Sequence, residues 1–106
     1  MSSYRPLPML ASVGATVTNI NLAPSILRVT AFNPTGGVPA FVQLFDAKAA
    51  DVTLGTTAAR YTFQVSPGDN DDALDDLYFA VAVSVACTTT PTGSVAAPCH
   101  ISPAVR

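Results

Sequence analysis

The sequence predicts an all-β protein: an antiparallel β-sandwich or small jelly-roll-like barrel of six to seven strands, with an extended N-terminal arm. Three observations predict it. Nine prolines and six glycines punctuate 106 residues roughly every ten positions, too often for long helices. No window holds a sustained helical apolar period. Between the punctuation marks, several runs alternate apolar and polar residues and are rich in β-branched and aromatic types. The length suits a single domain, assigned to residues 13–106, preceded by the arm at 1–12.

The elements follow in order. In the arm, Pro6 and Pro8 favour polyproline-like geometry. "VGATVTNI" (13–20) reads as a first strand. "SILRVTAF" (25–32) sets Ile26, Arg28, Thr30 and Phe32 on one face and Leu27, Val29 and Ala31 on the other. "NPTGG" (33–37) reverses the chain, its glycines supplying positive φ. "VPAFVQLFDA" (38–47) is apolar on both faces apart from Gln43, the mark of a strand covered on both sides. A small-residue loop (48–59) leads to "RYTFQVS" (60–66), with Tyr61, Phe63 and Val65 inward. "LYFAVAVSVAC" (77–87) reads as one long strand whose faces differ. Leu77, Phe79, Val81, Val83 and Val85 are bulky, whereas Ala80, Ala82, Ser84 and Ala86 are small. An exposed face would carry charge, so the small face is expected to let a second sheet or subunit approach closely. A Thr-rich loop and a short "CHIS" strand complete the chain.

Charge is scarce. Charged residues make up 11% of the chain against 49% hydrophobic, and the net charge is −2. An ordinary soluble domain carries roughly 25% charged residues, so part of this surface is expected to be covered by copies of the chain or by a partner. The four arginines are scattered and Lys48 is the only lysine, a pattern unsuited to the clustered phosphate contacts of nucleic-acid binding. The most apolar run is about half the length of a membrane-spanning helix, and prolines interrupt the N-terminal region where a signal peptide would need an apolar core. Residence in a cytoplasm is the resulting expectation, and with it free thiols at Cys87 and Cys99. Facing positions at strand ends would nonetheless permit a bridge.

All seven acidic residues are Asp, and Asp69, Asp71, Asp72, Asp75 and Asp76 crowd into "GDNDDALDD" (68–76). The stretch reads as a polar loop between strands. Asp69, Asp71 and Asp75 are the calcium candidates, but Ala73 stands where the next alternating ligand belongs and no Glu exists to close an EF-hand. No other cofactor is expected. His100 is the only histidine, and no GxSxG, HExxH or phosphate-binding glycine loop occurs, so the chain is expected not to be an enzyme; a metal-dependent hydrolase lacks ligands. Tyr4 and Arg5, an aromatic beside an arginine in the arm, together with Leu7, are candidates for an interface anchor. Ala80, Ala82 and Ala86 are candidates for close packing against a partner.

Residues 42–47 ("VQLFDA"), 63–68 ("FQVSPG") and 88–94 ("TTTPTGS") together resemble a loosely related group of small β-rich bacteriophage structural proteins, over about residues 28–95. Those proteins include head decoration (cement) and tail or fibre components. The resemblance implies a virion structural protein assembled in the host cytoplasm, with the major capsid protein as partner and a homo-oligomer, a trimer by preference, as working form. Neither nucleic acid nor membrane is an expected partner. A tail-associated attachment module is the alternative. The acidic stretch and both cysteines depart from the group's pattern, and no functional residue carries over.

Overall fold

In the computed structural model, which describes residues 3–34, 39–66 and 71–106 (71–73 by their backbone only), nine strands form two packed antiparallel sheets and no closed barrel. The first sheet contains β1 (Arg5–Pro6), β2 (Leu10–Val13), β4 (Ser25–Phe32), β7 (Asp71–Phe79) and β9 (Cys99–Val105). Its order is β1-β9-β4-β7, and β2 lies along the same edge of β9 as β1. The second sheet runs β3-β8-β5-β6, from β3 (Thr18–Asn21), β8 (Val83–Thr88), β5 (Ala40–Phe45) and β6 (Tyr61–Val65). A single 3-10 turn, Ala49–Asp51, is the only helical element among the described residues.

Period-2 alternation builds the core. Leu27, Val29 and Ala31 of β4 are fully buried, as are Cys99 and Ile101 of β9, and they meet Val42 and Leu44 of β5 and Val83, Val85 and Cys87 of β8. Phe79, the last residue of β7, is fully buried in this core, with the ring of Tyr61 edge-on against it at 5.4 Å. The expected faces of β4 and β6 are found, and β5 is covered on both sides.

Four expectations need correction. First, 77–87 is not one strand. It breaks at 80–82, where the chain crosses from the first sheet to the second. Second, most of the acidic stretch is strand rather than loop: β7 begins at Asp71 and pairs with β4 through Phe32↔Asp71 and Leu27↔Leu77. An edge strand tolerates this composition because one side of its ladder and its outward side chains face water. Third, residues 13–20 hold the end of β2 and most of β3 rather than one strand, and the arm does not project. Through β1 and β2 it pairs with β9 (Arg5↔Val105, Leu10↔Ile101), covering an edge that would otherwise be open. Arm and domain form one body.

Fourth, the C-terminal strand is seven residues long and lies inside its sheet. Pro103 sits within it, where a missing N–H should interrupt a ladder. In an extended strand a residue's N–H and C=O point to the same side. The Pro103 carbonyl accepts from the Leu7 amide at 2.9 Å, so the missing donor faces the arm, between β1 and β2, and spares the ladder to β4.

Candidate functional site

Two side-chain clusters and one dithiol collect the chemistry of the described residues. The first cluster spreads over the outer face of the first sheet. β7 carries a bulge there: Leu27 pairs with Leu77 and Val29 with Leu74, so Arg28 alone opposes both Asp75 and Asp76. Asp76 adopts a left-handed φ of 59°. The Tyr4 hydroxyl donates to Asp76 Oδ1 at 2.7 Å and accepts from the Asp76 amide at 2.9 Å. Arg106 Nη2 reaches the same carboxylate at 2.7 Å, and Arg28 lies 3.8 Å from Asp75. The guanidinium groups of Arg28 and Arg106 stand 4.3 and 4.9 Å from the Tyr4 ring centre. Desolvation, then the hydrogen bond to the Asp76 carboxylate, raise the Tyr4 hydroxyl above its ordinary range, against the opposing pull of the Asp76 amide and Arg106.

Several of the sequence-derived candidates lie in or beside this cluster. Tyr4 anchors its own chain, tying residues 72 positions apart. Leu7 is half-buried against the core, and Arg5 is exposed. Asp75 engages Arg28. Asp69 lies outside the described residues and Asp71 is placed by its backbone alone. Among the described residues, no group of three or more His, Cys, Asp or Glu stands close enough to hold a metal.

The second cluster fixes the 80–82 turn. Asp46, at the end of "VQLFDA", accepts the amides of Val81 at 2.8 Å, Ala80 at 3.0 Å and Ala82 at 3.3 Å. Burial alone would raise the carboxyl, but these three amides, aided by the charge of Arg60, outweigh it and hold Asp46 below the usual carboxylate range. Arg60 Nε donates to the Tyr78 carbonyl at 2.7 Å, and its guanidinium lies over the rings of Tyr61 and Tyr78. Sequence reasoning passed over Asp46 and Arg60. The legible signal was a lone acid directly after an apolar strand.

The turn so held stands beside 22–24, since Asn21 pairs with Val83 and Ser25 with Phe79. Both segments cross between sheets at the same end of the sandwich. They carry Leu22, 58% exposed, and Val81, 57% exposed, with Ala80 also exposed. Ala82 and Ala86, by contrast, have no accessible surface. They are covered by their own chain, so of the three alanines only Ala80 remains free to meet a partner.

What covers Ala86 is the chain's own loops. Gln43, which pairs with Ala86, donates to Thr88 Oγ1 at 2.7 Å and to the Gly93 carbonyl at 3.2 Å. Ser84 Oγ donates to the Ala47 carbonyl at 2.8 Å. Residues 55–59, Pro91 and Thr92 surround Gln43 and Thr62 above the sheet. At Gly93 an added Cβ would meet Thr90 Oγ1, so a side chain there would require the Thr90 hydroxyl to rotate away.

His100 stacks on Phe32, with ring centres 6.0 Å apart and planes within 9°. It borders a shallow depression with Met9, Thr30 and Ser102. Cys87 and Cys99 are both free thiols and fully buried. Compared with protein-family models, curated proteins and solved structures, the chain matches none.

Proposed function

We propose that this chain is a non-enzymatic virion structural protein, a capsid decoration (cement) protein that binds across joints between major capsid subunits and works as a homo-oligomer. The observation that carries the reading is the exposed apolar end of the sandwich. Leu22 and Val81 stand exposed on two adjacent cross-over turns, one of them clamped by Asp46, in a chain only 11% charged. Exposed apolar side chains grouped on a charge-poor surface support a role in which they are covered. Met9 and Val95 add further exposed apolar surface elsewhere. Repetition over a shell lattice would make individually weak contacts sufficient. The arm is already paired with β9 of its own chain, so the contact is assigned to the cross-over end.

The test is binding to purified particles of the parent virus, located by immunogold. The reading expects gold over the heads and loss of binding in a Leu22→Asp/Val81→Asp variant that keeps the wild-type melting temperature. Gold confined to the tail would replace cement by an attachment module. Particles carrying no gold would remove the virion reading altogether.

A further inference from the structure

Cys87 belongs to β8 in the second sheet and Cys99 to β9 in the first, and both side chains enter the same core. Facing sheets usually lie about 10 Å apart, too far for the roughly 5.5 Å Cα separation of a disulfide. At this corner the sheets converge. The Cys87 amide donates to the Gly14 carbonyl at 3.0 Å, and the Cys87 carbonyl accepts from the Ala97 amide at 3.1 Å. Val13, next to Gly14, pairs with Cys99, which follows Ala97 by two residues. Gly14 and Ala97 are thus each one hydrogen bond from Cys87, and the Cys99 thiol donates to the carbonyl of the same Ala97 at 3.7 Å.

We propose that Cys87 and Cys99 form an intramolecular disulfide across the sandwich when the chain folds in the presence of an oxidised small-molecule disulfide of the glutathione type. The thiolate of Cys99 attacks one sulfur of the reagent, displacing one small thiol and leaving a mixed disulfide. Cys87 loses its proton and attacks the Cys99 sulfur, displacing the second small thiol. One reagent disulfide is reduced to two thiols, and the protein loses two hydrogens. The same exchange can begin at Cys87 with the two residues' roles reversed, since closure precedes burial. Both sulfurs lie without solvent access in the finished fold, which places closure during folding and shields the bond from reductants afterwards. This inference is independent of the functional reading.

The test refolds the full chain from reducing denaturant into oxidised and reduced glutathione, or into reductant alone. Expected in the oxidising buffer is a monomer two hydrogens lighter by intact mass, with neither cysteine alkylated on denaturation. Its melting temperature should be higher by about 10 °C than that of the reduced form. Cys99→Ser and the double variant Cys87→Ala/Cys99→Ala should each melt at one temperature in both buffers. An unchanged mass with two alkylated thiols overturns the proposal, as does a bond between chains or a glutathione adduct that persists.

Discussion

The outer faces of the two sheets treat the same backbone pattern in opposite ways. On the first sheet, Arg28, Arg106, Asp75, Asp76 and Tyr4 lie on an open surface and neutralise one another there. On the second, all six residues of β8 are buried, although Ser84, Ala86 and Thr88 point away from the core. Loops following β5 and β8 lie over them, and Gln43, Thr88 and Gly93 satisfy one another's polar groups beneath that cover. A stripe of small side chains thus marks close approach without saying what approaches. In this protein its own Thr-, Ala- and Gly-rich loops do, and the polar side chains under them are hydrogen-bonded as burial demands.

Placing one lysine on each face tests the contrast most severely. Ala86→Lys drives a charged chain beneath the loops and should cost about 3 kcal/mol or more, or prevent folding. Thr30→Lys on the open face should stay within about 0.5 kcal/mol. Urea unfolding of both variants makes the comparison; equal losses would mean that the loops do not seal the second face. Gln43→Ala comes next: the Thr88 hydroxyl keeps its bond to the Thr90 carbonyl but loses its donor, and the Gly93 carbonyl loses the Gln43 amide under its cover, for a loss of about 2 kcal/mol in the same assay.

Smaller still is Asp46→Ala, which releases three turn amides at a partly solvated site and should cost about 1 kcal/mol after allowance for solvent. Its pH dependence separates it from the others. The Asp46 carboxyl is held low in the folded state, so its contribution is complete above the unfolded carboxylate value of about 4 and disappears as pH falls through the folded value. The wild type should therefore lose its advantage over Asp46→Ala in acid, as thermal melts at neutral and acid pH would show. The smallest effect belongs to Asp75→Asn. Its contact with Arg28 is long and both side chains are more than half exposed, so the change should be under about 0.5 kcal/mol and shrink further in salt.

The strands carrying a clean local signal were legible. β4 and β6 alternate, β5 is apolar on both faces, and each stands as its sequence says. The failures share a physical cause. The break at 80–82 lies inside an apolar run with no proline or glycine; Asp46, more than thirty residues earlier, captures its amides. The crowding of aspartates between strands suggested a polar loop, but Arg28 and Arg106 come from β4 and the C-terminus to meet Asp75 and Asp76. Tyr4 looked like an anchor for a partner, yet its partner is the bulge of β7.

By itself, then, the amino-acid sequence determined the all-β class, the punctuation and the inward face of most strands, because alternation and turn chemistry act over a few neighbouring residues. Only the tertiary structure decided where the long apolar run breaks, that the arm closes a sheet edge, that β9 runs through the middle of its sheet, and that Cys87 meets Cys99 at a corner. Each of those outcomes depends on hydrogen bonds and packing between residues distant in sequence, whose partners no local pattern names.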